Sequence, residues 1–135
     1  MTTAEIAAQY GVPLPETCKE LNWQKETLFW WVHEQKEDIF KVVTSSFKKS
    51  FENLKMQSET NVFIAPAPQM HEIAKLLPER IQKSTLYYIA TLNSIAYLRS
   101  PILGDIVELE SKVKNQNYAQ AYAELYLQLK SKNLL

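Results

Sequence analysis

The apolar residues of this chain repeat with two different spacings, and this constrains its fold class more than any other feature. Residues 28–33, 39–44 and 61–64 are runs of aromatic and β-branched side chains, which are typical of strands. Residues 117–133 instead carry apolar side chains every three or four positions, which is typical of a helix with one buried face. Because both patterns occur within 135 residues, the sequence predicts a mixed α+β protein.

The chain is predicted to begin with two helices. Thr2 and Glu5 have the spacing of a capping box, in which each side chain bonds a backbone amide of the first turn. Gly11 can end the first helix in the left-handed conformation, and a second helix is expected to begin near Pro15. Residues 1–12 are therefore predicted to form an N-terminal helical arm on a single domain that spans residues 1–135.

The middle of the chain is predicted to form strands. Residues 28–33 and 39–44 are expected to pair as a hairpin, 61–64 to form a third strand, and 85–89 and 95–98 to form a second hairpin. A continuous helix over 84–100 is the alternative, because Tyr88, Leu92 and Ile95 also have helical spacing. Residues 45–59 are interpreted as a long excursion without regular structure.

Three helices are predicted in the second half of the chain. Pro68 is expected to open a helix that ends near Leu77, and Asp105 to cap a short helix that reaches Val113, for which a strand is the alternative. Asn117 is expected to cap the C-terminal helix. The predicted fold is α+β, a mainly antiparallel sheet of about four or five strands with helices packed on one face.

The composition restricts the partners and the location. Fifteen basic side chains balance fifteen acidic ones, so the chain lacks the basic excess of a nucleic-acid binder. The N-terminal sequence has no secretion signal, and no apolar stretch approaches the roughly 20 residues of a membrane-spanning helix. Cys18 has no second cysteine with which to form an internal disulfide. We therefore expect a cytoplasmic protein without nucleic-acid or membrane partners.

Several segments, taken in order, resemble small uncharacterised proteins encoded by phages and prophages of Bacteroidetes. They are Cys-Lys-Glu-Leu-Asn-Trp at 18–23, the aromatic run at 27–32, Ala-Pro-Ala-Pro at 65–68, Leu-Leu-Pro at 76–78 and Tyr-Leu-Gln-Leu at 126–129. The resemblance covers residues 14–135, but this chain lacks the glycine usual after the first helix and adds residues 1–12. It implies a mixed sheet-and-helix fold and a mobile-element origin, and no known reaction.

Candidate metal ligands and nucleophiles do not form a recognised motif. His33 and His71 are each followed by a glutamate, as in the zinc motif of two histidines one helical turn apart, but Glu37 and Lys75 occupy the second histidine positions. Cys18 could join the two histidines only in a composite site of scattered residues. With two glycines in the chain, a phosphate-cradling loop is excluded as well. We therefore expect no metal and no cofactor, and the sequence favours a non-catalytic protein over an enzyme.

The aromatic strand supplies the candidate binding residues. Side-chain alternation separates Trp31 and His33 from Trp30, whose face is wholly apolar and is the better candidate for the core. Trp31 and His33 are therefore expected near the surface, joined by Tyr97 from the second hairpin, as a binding patch. Packing of Trp31 in a core covered on both faces is the alternative.

These observations favour a non-catalytic binding protein of a phage or mobile element that acts on a host protein or forms a homodimer. One alternative is a DNA-binding regulator, because residues 5–12 resemble the first half of a helix-turn-helix. The other is a small enzyme with an unrecognised site.

Overall fold

A computed structural model describes residues 1–53, 61–81, 85–99, 104 and 106–135 of the protein. The helices and strands, in chain order, are α1 (Thr3–Tyr10), α2 (Pro15–Leu21), β1 (Phe29–Glu34), β2 (Ile39–Thr44), α3 (Ser45–Asn53), β3 (Asn61–Ala67), α4 (Met70–Ala74), β4 (Arg80–Ile81), β5 (Leu86–Ala90), β6 (Ser94–Arg99), β7 (Ile106–Lys112) and α5 (Tyr118–Ser131).

The described strands form two antiparallel sheets. The order β2-β1-β3 makes a three-stranded sheet, and the order β4-β5-β6-β7 makes a four-stranded sheet. The predicted α+β class with mainly antiparallel pairing is confirmed. The strands are divided between two sheets, because β1 to β3 pair only among themselves in the part of the chain that the structure describes.

The helix caps and hairpins that the sequence predicts are present in the structure. The Thr2 hydroxyl accepts a hydrogen bond from the Glu5 amide at 3.1 Å, and Gly11 ends α1 with φ of 67°. Both predicted hairpins form, so the alternative of a continuous helix over 84–100 is wrong. Asn117 caps α5 by accepting from the Gln120 amide at 3.1 Å.

Three predictions of local structure are wrong. Residues 45–53 form α3 rather than an irregular excursion, and residues 54–59 lie outside the described part. Residues 106–112 form a strand, the stated alternative, because β6 pairs with them and Leu109 lies opposite Tyr97; Asp105 is not described. Finally, α4 begins at Met70, two residues after Pro68, because Gln69 and Glu72 form a capping box.

The three-stranded sheet is covered on one face by α1 and α2. Ala7 and Cys18 of these helices join Trp31, Ala65 and Ala67 in one buried cluster. On the opposite face, α3 contacts β1 and β2. Trp31 and Val32, which alternation places on opposite faces of β1, are both buried, at 0% and 2% exposed.

The four-stranded sheet is packed against α5. Leu125 and Leu129 of α5 lie in a buried cluster with Ile95, Tyr97 and Leu109 of the sheet. These strand residues alternate along β6 and β7, so one face of the sheet is the inner face against α5. The other helices pack elsewhere: α4 contacts α5 rather than this sheet.

The segment of residues 12–14 connects the two sheets. The Trp31 indole nitrogen donates to the Pro13 carbonyl at 2.8 Å, from the three-stranded side. The Asn117 side-chain amide donates to the Val12 carbonyl at 2.9 Å, and the Leu14 amide donates to the Gln120 side chain at 2.8 Å, both on the α5 side. Three consecutive residues are thus held by side chains from both halves of the fold.

Candidate interaction surface

The face of the four-stranded sheet that points away from α5 is here called the outer face. Its position follows from alternation and register: Tyr87 pairs with Leu98 and Leu98 with Val107, while Ile89 pairs with Ala96. Paired residues point to the same side of a sheet. The described outer face consists of these five residues with Arg80, Glu110 and Lys112 at its margins.

The outer face is apolar and partly exposed. In the described part of the chain, α5 is the only helix that packs extensively against this sheet, and it lies on the inner face. Ile89 is 40% exposed and Val107 is 52% exposed, on either side of Leu98, which is 8% exposed. Ala96, the other outer-face residue of β6, is 3% exposed, so the exposed aliphatic side chains lie on both sides of a buried central strand.

Charged groups of both signs border this apolar centre. Arg80 lies on β4 with its guanidinium 5.5 Å from the centroid of the Tyr87 ring. On the opposite margin, β7 carries Glu110 and Lys112, and Glu108 forms an ion pair of 3.1 Å with Arg99. An apolar centre with a charged rim is the usual anatomy of a protein–protein interface.

The free edge of the same sheet is less accessible than its face. β7 is the last strand in the sheet order, so its outer backbone groups have no strand partner among the described residues. The Gln128 side-chain amide donates to the Glu110 carbonyl at 3.1 Å and so occupies one of these groups. Acidic side chains along an edge strand also discourage further strand addition.

The structure does not bring the sequence-predicted binding residues together. Trp31 and Tyr97 are each 0% exposed, and they lie in different clusters under different sheets. His33 is partly exposed at the end of β1, where its Nε2 lies 2.7 Å from Asp38 Oδ1 and its ring packs on Phe40. The prediction that Trp31 and Tyr97 lie near the surface is therefore wrong.

The prediction failed because the presence of His33 does not make its face of β1 solvent-exposed. His33 pairs with Asp38 and packs on Phe40 near the end of β1. Trp31, the preceding residue on the same face, is nevertheless buried under α1 and α2. Conversely, Leu28, on the face expected to be the core, is 53% exposed. Tyr97 points to α5, and its hydroxyl donates to the Pro78 carbonyl at 2.5 Å.

The outer-face residues were missed although the sequence contains a signal for them. Residues 86–90 and 95–98 are apolar at every position, rather than at alternate ones. Such runs are typical of strands whose two faces are both apolar. Since α5 covers the inner face, the second apolar face of this hairpin is the outer face, where Ile89 is exposed.

A cleft lies at the start of β1. This cleft has a volume of about 590 Å³ and is lined by Leu28, Trp30 and Thr27 together with Lys48 and Glu72. The Lys48 amine lies 4.5 Å from the Trp30 ring centroid, and the Thr27 hydroxyl donates to Glu72 at 2.9 Å. Lys48, Thr27 and Glu72 thus each contact another residue of the cleft wall.

Among the described residues, the titratable groups with shifted pKa values are side chains that lie in the core or pack against it. Burial raises the pKa of the Cys18 thiol to about 12, and its Sγ lies 3.5 Å from the Pro13 carbonyl. Burial likewise raises the pKa of Tyr97 to about 12. Burial raises the pKa of Tyr88 as well, and its hydroxyl bonds that of Tyr122. None of these groups opens into either surface feature described above.

Within the ranges given above, no three histidine, cysteine, aspartate or glutamate side chains lie close enough to hold a metal ion. No helix in the described part of the chain combines the length and apolar character needed to cross a membrane.

The fold and this surface define an α+β protein with exposed aliphatic side chains on one sheet face. Comparisons of the chain with protein-family models, with curated proteins and with solved structures find no match.

Proposed function

We propose that the protein is a non-catalytic binding protein that acts by contacting another protein chain through the outer face. The observation that carries this proposal is the exposure of Ile89 and Val107 on a sheet face that no described helix covers. A phage or mobile-element origin, with a host protein as the target, stays a prediction of the sequence resemblance.

The chemistry of the outer face supports a protein partner. Its centre offers aliphatic and aromatic side chains, which gain free energy when water is removed from them. Its margins offer Arg80, Glu110 and Lys112, which can fix the orientation of a partner by charge. A rigid sheet also loses little conformational entropy on binding, so contacts made by it are not offset by ordering of the surface.

Site-specific photo-crosslinking tests this proposal. Cys18 is 1% exposed with a raised pKa, so an introduced surface cysteine is the preferred site for a thiol-directed photo-crosslinker. Val107→Cys places the probe on the outer face, and Val62→Cys, at a position 39% exposed on β3, is the matched control.

We expect a covalent adduct with a protein chain, either another protein or a second copy, from position 107 and none from position 62. Addition of Ile89→Lys to the Val107→Cys variant is expected to abolish the adduct, because a lysine at the centre of the patch opposes its desolvation. Equal adducts from both positions, or no adduct in cells that express the chain, would contradict the proposal.

A further inference from the structure

We propose that β2 is a docking edge for an extended segment of another protein, which pairs with it as an added antiparallel strand. The bound segment has an acidic residue between two apolar ones. Since β2 belongs to the three-stranded sheet and the outer face to the four-stranded one, this inference goes beyond the proposed function.

β2 is the sheet edge that is best able to accept a strand. Among the described residues, β2, β3, β4 and β7 lie at the edges of the two sheets. β3 contains Pro66 and is contacted by α2, β4 has only two residues, and Gln128 bonds the edge of β7. β2 has six residues, no proline and one charged side chain, Lys41. It therefore lacks most of the features that protect an edge strand from pairing.

The register of β2 shows which of its backbone groups point outward. The Ser45 amide donates to the Leu28 carbonyl at 2.8 Å, directly beyond the last residue pair of β1 and β2. In an antiparallel pair, every second residue bonds the partner strand, and the residues between them direct their amides and carbonyls away from it. Phe40 and Val42 are therefore outward-facing residues, and no strand of the described chain pairs with them on that side.

A groove with a volume of about 920 Å³ lies between α1 and β2. Ile6 and Tyr10 line it from α1, and Tyr10 is 37% exposed. Phe40 and Val42 line it from β2, with their side chains partly buried against the cluster that contains Trp31. Paired residues point to the same side of a sheet, so the residues of an added strand opposite Phe40 and Val42 face α1. These two positions are suited to apolar side chains.

Lys41 selects the residue between these two positions. Its side chain alternates to the other face of β2 and is exposed. A residue of the added strand opposite Lys41 belongs to a non-hydrogen-bonded pair, in which the two side chains are closest. Glutamate or aspartate there gains an opposite-charge contact, whereas lysine or arginine meets a like charge. The segment that fits β2 is therefore apolar, acidic and apolar in turn.

A second copy of this chain fits β2 less well than a free segment does. Among the described strands, α1 packs mainly on β2. If two β2 strands paired antiparallel about a two-fold axis, both α1 helices would lie on the same face, over strands about 5 Å apart. Packed helices need about 8 to 10 Å between their axes. An extended segment of another protein brings no such helix, so α1 can cover it.

Fluorescence anisotropy of a labelled peptide, titrated with the purified full chain, tests this inference. The probe is Ser-Thr-Val-Glu-Val-Thr-Ser, which can place its glutamate opposite Lys41 and its valines opposite Phe40 and Val42. We expect saturable binding with a dissociation constant on the order of 100 micromolar, because one added strand makes a small interface.

Methylation of the peptide backbone distinguishes strand pairing from non-specific apolar contact. In the expected register, the valine amides point to β2 and the glutamate amide points away from it. N-methylation of either valine is expected to weaken binding about tenfold, because it removes a donor and places a methyl group against β2. N-methylation of the glutamate is the matched control and is expected to leave the affinity nearly unchanged.

Reversal of one charge tests the role of Lys41. Lys41→Glu is expected to bind the peptide with lysine in place of glutamate at least about threefold more tightly than the original peptide, the reverse of the wild-type preference. Lys112→Glu makes the same change at an exposed position on β7 and is expected to keep the wild-type preference. A far-UV spectrum and a denaturation curve show that each variant is folded.

Three results would overturn the inference. They are the absence of saturable binding up to about 1 millimolar protein, equal weakening by N-methylation of glutamate and valine, and a peptide preference that Lys41→Glu does not reverse. A dimer that Val42→Pro abolishes, found without peptide binding, would assign β2 to a second copy instead. None of these results changes the crosslinks from position 107, which test the proposed function on the other sheet.

Discussion

Replacement of Trp31 by alanine tests the assignment of this side chain to the core. Trp31 is 0% exposed, and its indole nitrogen donates to the Pro13 carbonyl at 2.8 Å. Its ring also packs edge-on against Phe40, with 6.3 Å between the ring centroids. The substitution therefore removes a large apolar volume, an aromatic contact and a buried hydrogen bond from one position.

The expected loss in free energy of unfolding is at the upper end of the range for core substitutions. Truncation of a buried tryptophan to alanine costs about 3 to 5 kcal/mol through lost burial and the cavity that remains. The Pro13 carbonyl, deprived of its donor, adds a cost of about 1 to 3 kcal/mol if water does not reach it. Since these costs overlap, we expect about 4 to 6 kcal/mol for Trp31→Ala.

Urea denaturation, followed by far-UV circular dichroism, measures this loss as a shift of the midpoint at constant slope. Domains of ordinary stability have about 5 to 15 kcal/mol in total, so the alanine variant is near the limit of folding. Trp31→Phe provides a second measurement: it keeps most of the ring, loses the hydrogen bond, and is expected to cost about 1 to 3 kcal/mol. A loss below about 1 kcal/mol for Trp31→Ala would refute the packing described here.

Three further changes follow from the same structure. Leu125→Ala is expected to destabilise the fold by about 2 to 5 kcal/mol in chemical denaturation, because Leu125 is 0% exposed between α5 and the four-stranded sheet; a loss below about 1 kcal/mol would show that this helix is not packed as described. Gly11→Ala is expected to cost about 1 to 2 kcal/mol, since Gly11 has φ of 67°, and an unchanged melting temperature would exclude strain there. The Cys18 thiol, whose pKa burial raises to about 12, is expected to react with a thiol-specific reagent at pH 8 only after unfolding, whereas reaction in the native state would show that it is accessible. Because this pKa is raised above its ordinary 9.0, the stability linked to Cys18 is complete below pH 9 and is lost as the pH rises toward 12.

The sequence predicts the elements whose signals are local. The capping residues Thr2 and Asn117, the left-handed Gly11 and the apolar stripe of α5 each act within a few residues along the chain, and each is found as predicted. The two hairpins are also local, because a short loop joins their strands.

The sequence does not predict features that depend on distant partners. Both alternating sets of residues in the aromatic strand are rich in apolar side chains, so alternation alone cannot decide that Trp31 packs under α1 and α2. Residues 106–112 have helical spacing as well, and only pairing with β6 makes them a strand. The division into two sheets is decided in the same way, because pairing partners far apart in sequence leave no short-range signal.

The candidate surface shows the same limit. Complete apolar runs in β5 and β6 indicate two apolar faces, but they do not say that only one helix lies against this sheet in the described chain. Exposure of Ile89 and Val107 is therefore a property of the assembled layers rather than of their own sequence neighbourhoods.

The tryptophan and tyrosine side chains are two optical reporters of folding. We expect their signals to change together, because the hydrogen bonds to residues 12–14 connect the two halves of the fold. Trp30 and Trp31 lie on β1 of the three-stranded sheet, and Trp23 packs in a cluster with Ala119 and Ala123 of α5. Indole fluorescence therefore reports the three-stranded sheet and the contact with α5. Tyr88, Tyr97 and Tyr122 cluster on the other side and give near-ultraviolet signals of their own. Because Trp31 and Asn117 hold adjacent carbonyls of one short segment, loss of either half leaves buried acceptors without donors in the other. The indole and phenol signals are therefore expected to report a single unfolding transition with one midpoint.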